Sequence, residues 1–167
     1  MKKLSFLGIG PKIARIAIPY LFVTILLTVF YKATFVYSMQ YARFLFNAGV
    51  VLMATGLIFY LITVKLLLTG LRQTRLITIG TYYCCQNPLY AALILMVIPA
   101  LSLLMNSWLV VSAGLVAFMV FKNKIRSEYE EMETVFGDEY IKYRTETPEF
   151  LPFPFGKIMN TIKTKGA

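Results

Sequence analysis

The residue types available for chemistry are few, and their placement excludes several kinds of site. All eight acidic residues lie between positions 128 and 149, and the chain contains no histidine. The two cysteines, Cys84 and Cys85, are adjacent, so they cannot staple distant segments together. These features exclude a carboxylate relay upstream of Glu128, a histidine base and a histidine-ligated metal. We therefore expect no metal site, and we assign the cysteines no role.

The charged residues after position 121 are spaced for helical ion pairs. Lys124 and Glu128 are four residues apart, as are Arg126 and Glu130, and no proline or glycine interrupts them. The simplest interpretation is a solvated helix with weak ion pairs, each worth about 0.2–0.5 kcal/mol. Gly137 is a plausible terminator, so the helix is predicted to end there.

The elements that must position these residues are strongly apolar. Of 167 residues, 58% are hydrophobic and only 15% are charged, and the mean hydropathy is +0.67. A soluble domain usually carries about 25% charged residues. The composition predicts one all-α integral membrane domain over residues 1–167. The net charge of +9 could suggest nucleic acid, but the basic residues flank apolar stretches, which favours contact with an anionic membrane leaflet instead.

Four membrane-spanning helices are predicted from the lengths of the apolar stretches. A spanning helix needs about 20 mainly apolar residues. The last apolar block, residues 89–121, is too long for one helix, and Asn106 and Ser107 near its middle favour a tight helical hairpin. Pro99 is predicted to kink the first arm, and Trp108 to lie at the far interface. The predicted spans are residues 13–31, 44–68, 89–104 and 108–121.

The distribution of basic residues predicts the orientation. With four crossings, 15 of the 17 lysines and arginines fall on one side, and only Lys32 and Arg43 fall on the other. This asymmetry places both termini in the cytosol. It also places residues 69–88 and 122–155 on the cytosolic side, where a soluble cofactor could bind. The alternating aromatic residues and prolines of 150–155 predict an extended segment at the interface.

Two of these cytosolic segments resemble a known family. From Leu76 the loop reads L-I-T-I-G-T-Y-Y-C-C-Q-N-P-L-Y, and the tail reads E-Y-E-E-M from Glu128 and F-G-D-E-Y-I-K-Y from Phe136. Together they resemble the isoprenylcysteine carboxyl methyltransferases, which are similar to the phospholipid N-methyltransferases. The family pattern is L-x-T-x-G-P-Y-x-x-x-R-H-P-x-Y, a helical hairpin, then E-E-x-x-L-x-x-x-F-G-x-E-Y-x-x-Y. The resemblance covers about residues 70–155.

The chain departs from that pattern at a few positions. Gln86 and Asn87 replace the Arg-His pair, Tyr129 replaces the second Glu, and Thr81 replaces a Pro. These replacements keep open an alternative, a non-catalytic protein of the same fold that binds a lipid or a partner. A further alternative is an NADPH-dependent lipid reductase, because membrane sterol reductases share a related carboxy-terminal arrangement.

The resemblance implies an S-adenosylmethionine-dependent methyltransferase whose acceptor is a lipid or prenylated molecule entering from the inner leaflet. Lys124 matches a family arginine implicated in holding the acceptor, and with Arg126 it is our candidate for the catalytic role. Tyr140 and Tyr143 would close over the pocket or stack on adenine, or else pack at the interface. The candidate cofactor contacts are Leu76, Ile77, Tyr82, Asn87, Pro88, Leu89, Tyr90 and Glu128.

The chemistry of methyl transfer suggests which acceptor such a pocket would take. The reaction is an in-line displacement, so the protein must mainly align the reactants and exclude water. Asn87 offers a donor and an acceptor but does not titrate, so it cannot remove a proton. A carboxylate or phosphate is already ionised and needs no base, whereas an amine would need one. This favours an anionic acceptor, paired with Lys124 or Arg126.

Overall fold

The computed structural model describes residues 8–73 and 75–150, and these residues form helices and no β-strand. The all-α prediction is confirmed. The extended segment predicted for 150–155 lies, apart from Phe150, outside the described residues. The helices are α1 (Gly10–Phe30), α2 (Lys32–Phe35), α3 (Ala42–Gln73), α4 (Thr81–Cys84), α5 (Pro88–Ala91), a π-helical turn (Ala92–Val97), α6 (Ile98–Leu104), α7 (Trp108–Phe136) and α8 (Asp138–Glu146).

Three of these helices, α1, α3 and α7, are long and apolar enough to cross a membrane. The fourth predicted span is a shorter apolar helix, Pro88–Leu104, which runs without a break through α5, the π-helical turn and α6. At 1.5 Å per residue it is about 26 Å long, a little less than a hydrocarbon core of about 30 Å. Among the described residues the structure therefore has three candidate spans and one shorter apolar helix.

The helical hairpin predicted for residues 89–121 forms the centre of the molecule. Its two arms pack on each other, α1 packs on α7, and α3 packs on α6 and the π-helical turn. Asn106 makes the tight turn between the arms with a φ of +49°, a conformation that asparagine tolerates better than most residues. The hairpin therefore carries a long helix on each side.

Hydrogen bonds between buried hydroxyl groups hold the hairpin turn in place. Ser102 Oγ donates to the Ser107 carbonyl oxygen at 2.7 Å, so it accepts the hydrogen bond from Tyr37 Oη at 2.8 Å. Ser107 Oγ and Thr28 Oγ1 are 2.8 Å apart. Trp108 lies at this same end, is half exposed and contacts the Phe35 ring edge-on. These contacts fasten the turn to α1 and to the segment that follows α2.

The close contact between α3 and the hairpin depends on small residues at a seven-residue spacing. The buried residues of α3 are Gly49, Gly56, Thr63 and Gly70. A side chain at position 49 would place its Cβ 3.0 Å from the Leu104 backbone nitrogen. Small residues allow helices to approach closely in membranes, and a seven-residue repeat keeps them facing one partner.

Proline and glycine mark the ends and irregularities of the hairpin helices. Pro88 is the first residue of α5, and α7 ends at Phe136 before Gly137, which has a φ of +53°, as predicted. A kink was predicted at Pro99, and a π-helical turn lies just before this residue. In that turn the Ile98 N–H donates to the Leu93 carbonyl oxygen, five residues back. Because proline has no N–H and crowds the preceding turn, the wider turn accommodates it.

Replacing Gly49 by alanine is expected to lower the free energy of unfolding by about 1–3 kcal/mol, because the added methyl group meets backbone atoms that cannot move aside. The matched control is Gly114→Ala in α7, whose Cβ meets its nearest atom at an ordinary 3.5 Å. Denaturant unfolding in detergent micelles measures both. Equal stability of the two variants would contradict the packing described.

Candidate functional site

A cavity of about 90 Å³ lies at the end of the molecule opposite the hairpin turn. It is enclosed by the last turns of α3, the loop of residues 75–87, the second half of α7, and α8. Five of the eight predicted cofactor contacts line it: Leu76, Ile77, Tyr82, Asn87 and Glu128. The fold therefore brings together two segments that are about 40 residues apart in the sequence.

The other three predicted contacts, Pro88, Leu89 and Tyr90, do not line the cavity. They form the first turn of α5, directly behind the loop. Tyr90 still supports the site, because its hydroxyl donates to Glu128 Oε2 at 3.4 Å. Its position is thus behind a cavity residue and not in the cavity wall.

The loop is held against α3 by close packing and a buried hydrogen bond. The Ile77 side chain lies against Gly70, where a Cβ would come within 2.4 Å of Ile77 Cγ1. Gly80 has a φ of +63° and leads into α4, a conformation that favours glycine. Thr63 Oγ1 of α3 donates to Thr81 Oγ1 at 2.9 Å. Thr81, one of the departures from the family pattern, therefore anchors α4.

Glu128 faces the start of α1 instead of its predicted partner. Its Oε2 accepts the Ile9 N–H at 3.2 Å, so the carboxylate lies at the amino-terminal end of α1. A negative charge is favourable there because the first N–H groups of a helix are unpaired. The predicted ion pair between Lys124 and Glu128 does not form among the described residues: Lys124 is exposed, whereas the partly buried Glu128 carboxylate accepts hydrogen bonds from the Ile9 N–H and the Tyr90 hydroxyl.

Lys124 and Arg126 are both exposed and do not line the cavity. Arg126 Nε is 3.5 Å from Glu130 Oε1, as the spacing predicted, and both side chains are more than two-thirds exposed. The buried stripe of α7 passes instead through Ile125 and Tyr129. The structure therefore does not place the two predicted catalytic residues at the site, and their role remains a prediction.

Gln86 and Asn87 fasten the tail to the loop. The Gln86 N–H donates to the Pro148 carbonyl oxygen at 2.9 Å, and its side-chain amide donates to the Arg144 and Thr147 carbonyl oxygens. Asn87 Nδ2 donates to the Glu149 carbonyl oxygen at 3.0 Å. The residues that replace the family's Arg-His pair thus make hydrogen bonds with residues 144–149, and their side-chain nitrogens are occupied.

Tyr129, the third departure from the pattern, belongs to the same network. Its hydroxyl accepts from Asn87 Nδ2 at 2.7 Å and donates to Glu149 Oε1 at 3.1 Å. Glu149 Oε2 pairs with Lys122 Nζ, and the Arg144 guanidinium lies 4.7 Å from the centre of the Tyr129 ring. Sequence reasoning missed this network, because the spacing of residues 122, 129 and 149 carries no local signal.

Tyr82, Tyr140 and Tyr143 also line the cavity. Burial raises the pKa of Tyr82, and the charge of Glu128 adds to that rise. Burial also raises the pKa of Tyr143 and of Tyr140, with Arg144 opposing the rise at Tyr140. These phenols are therefore neutral at physiological pH. The structure brings Tyr140 and Tyr143 to the predicted pocket, where the Tyr143 hydroxyl donates to the Tyr82 carbonyl oxygen at 2.6 Å.

One further cavity residue, Arg75, was not predicted. It follows α3, and its N–H bonds to the Gly70 carbonyl oxygen at 3.2 Å. Among the described residues it is the cation that lines the cavity, and Glu128 is the anion. The same described residues contain no group of three or more histidine, cysteine or acidic side chains able to hold a metal ion. The cavity thus suits a ligand that carries both charges.

Comparison of the chain with models of protein families, with curated proteins and with solved structures finds no match.

The two cysteines are expected to differ sharply in reactivity. Cys84 is partly exposed, whereas Cys85 is fully buried, and burial raises the pKa of the Cys85 thiol to about 12. Since the thiolate is the reactive form, a maleimide should label a Cys85→Ser variant at Cys84 and leave a Cys84→Ser variant unlabelled from about pH 7 to 9. Mass spectrometry of the intact protein counts the labels. Labelling of Cys85 in folded protein would contradict the packing of this loop.

Proposed function

We propose that this chain is an integral membrane methyltransferase that uses S-adenosylmethionine and acts on a lipid or prenylated acceptor. The observation that carries the proposal is the meeting of the two family-like segments at one cavity: loop residues 76–87 on one side and Glu128 on the other. The resemblance found in the sequence depended on order and spacing alone. Convergence of both segments on one cavity supports it independently.

The side chains around the cavity suit the chemical groups of S-adenosylmethionine. Tyr82 and Tyr140 offer aromatic surface for adenine. Glu128 would accept hydrogen bonds from the ribose hydroxyls or attract the cationic groups, and Arg75 would pair with the carboxylate of the amino-acid end. When bound, the cofactor supplies an electrophilic methyl group on a sulfonium. The protein itself must hold both reactants in place and exclude water.

Water exclusion is supplied by the apolar part of the cavity wall. Leu76, Ile77, Met132 and Phe136 are all partly buried and line the cavity. Excluding water strengthens the attraction between the cavity charges and a bound ligand, because the local dielectric constant falls. The same apolar surface would accept the first carbons of a lipid chain.

We also propose that the cavity faces the cytosol. Lys12, Arg15 and Arg72 are exposed and lie near the cavity end of their helices. An excess of lysine and arginine marks the cytosolic side. In sealed vesicles, an impermeant maleimide should therefore reach Cys84 only when the cytosolic face is turned outward.

A non-catalytic binding protein is the second candidate, and one observation favours it. The side-chain nitrogens of Gln86 and Asn87 are occupied by hydrogen bonds to the tail. In the family pattern the residues at these positions are Arg and His. A protein that uses these positions to fasten its own tail could have retained ligand binding without turnover.

Calorimetric titration of S-adenosylhomocysteine, the demethylated product, into the purified protein tests the proposal. We expect binding that Glu128→Gln and Arg75→Gln each weaken by about tenfold or more, because each removes a charged hydrogen bond. Arg72→Gln is the matched control, since Arg72 is exposed and does not line the cavity. Its affinity should equal that of the wild type.

Two outcomes would separate the candidates. Binding together with transfer of radiolabelled methyl groups to lipids of the native membrane supports the methyltransferase. Binding without transfer favours the second candidate. Absence of binding in protein that shows a cooperative unfolding transition would contradict both the cofactor and the site assignment.

A further inference from the structure

The Tyr129 hydroxyl has a defined orientation. An ionised carboxylate only accepts hydrogen bonds, so the phenolic proton points toward Glu149 Oε1, 3.1 Å away. The Asn87 amide is oriented as well, because its Nδ2 donates both to Tyr129 Oη and to the Glu149 carbonyl oxygen. With its proton directed at Glu149 and one lone pair taken by Asn87, Tyr129 Oη has one lone pair left to offer.

That remaining lone pair belongs to a residue of the cavity wall. Tyr129 is buried, and both it and Asn87 line the cavity. A ligand group that meets Tyr129 Oη must therefore donate a hydrogen bond. An ionised carboxylate or phosphate would place its own lone pairs against that of the phenol, which is repulsive.

Glu149 has a route by which it can pass on a proton. Its Oε2 pairs with Lys122 Nζ, and the two side chains are about one-third and one-half exposed. The carboxylate thus connects the buried phenol to solvent. Arg144 lies 4.7 Å from the centre of the Tyr129 ring, so a cation is present to stabilise negative charge that develops on the phenol.

We infer that Tyr129 accepts the proton of the methyl acceptor and passes its own proton to Glu149, so that the acceptor is an amine or a hydroxyl group. This inference rests on the proposed function and narrows it. Tyr129 is assigned as a catalytic residue, and Glu149 as the residue that positions its proton. The sequence favoured an anionic acceptor because Asn87 cannot remove a proton. Tyr129, which accepts a hydrogen bond from Asn87, supplies the missing proton acceptor, so this inference favours an amine or a hydroxyl group instead.

The transfer balances without any other reactant. The electron pair of the acceptor nitrogen or oxygen forms the bond to the methyl carbon, and the carbon–sulfur bond breaks with its electrons remaining on sulfur. The acceptor loses one proton to Tyr129 Oη as the phenolic proton moves to Glu149 Oε1. The products are a methylated acceptor, a neutral thioether and a protonated Glu149, which then releases its proton to solvent.

Three single-chain lipids that differ only in the head group test the inference. Oleylamine, oleyl alcohol and oleate are each presented in phosphatidylcholine vesicles with methyl-labelled S-adenosylmethionine. We expect labelling of the amine or the alcohol and none of oleate. As a readout independent of turnover, native mass spectrometry should show that the protein retains the same protic lipid in preference to oleate, and that Tyr129→Phe loses this preference.

The variants separate proton transfer from structural support. Tyr129→Phe should lower kcat by about 100-fold or more with little change in KM, as expected for loss of a general base. Glu149→Gln should also lower kcat. Glu130→Gln is the matched control and should leave kcat unchanged, because Glu130 is an exposed residue of α7 next to Tyr129. All three variants should bind S-adenosylhomocysteine as the wild type does, which shows that the cavity is intact.

The experiments distinguish a failure of the proposed function from a failure of this inference. If the wild type does not bind S-adenosylhomocysteine, the proposed function and this inference fall together. If it binds and transfers methyl groups to lipids of the native membrane, then methylation of oleate, absence of transfer to both protic lipids, or an unchanged kcat in Tyr129→Phe overturns the inference alone.

Discussion

The hydrogen-bonded network around Tyr129 depends on the hydrogen bonds by which the loop of residues 75–87 holds residues 144–149. Without them, residues 144–149 would leave the loop, and Tyr129 would lose the carboxylate that orients its proton. The donors are the side-chain amides of Gln86 and Asn87 and the Gln86 backbone, and most of the acceptors are backbone carbonyl oxygens. Amides suit this role because they donate two hydrogen bonds without changing charge with pH.

The hairpin supplies the rigid support for this arrangement. Its turn is fastened at the far end by Ser102, Ser107 and their hydroxyl partners, while Gly49 and Gly56 let α3 approach the first arm closely. In a membrane, helices gain little from burying apolar surface against one another, so close packing and hydrogen bonds must hold them together. The glycine contacts and the hydroxyl hydrogen bonds lie far from the cavity, yet they fix the ends of α3 and α7 that form the cavity wall.

The placement of Glu128 illustrates how one residue can serve two purposes. It accepts a hydrogen bond from the N–H of Ile9, the residue before α1, and also lines the cavity. The same carboxylate therefore connects the start of α1, which packs on α7, to the cavity.

The sequence by itself determined the long apolar helices and several of the helix ends. Apolar length predicted the helices, Pro88 and Gly137 marked helix ends, and Asn106 and Ser107 marked the hairpin turn, because these signals act within a few residues of the chain. The loop and Glu128 were also predicted as parts of one site. Only the tertiary structure decided which residues of α7 line the cavity: Glu128 and Tyr129 do, and Lys124 and Arg126 do not. Helix orientation depends on packing against α1 and α8, and contacts such as Ile9 with Glu128 or Lys122 with Glu149 join residues too far apart to leave a periodic pattern.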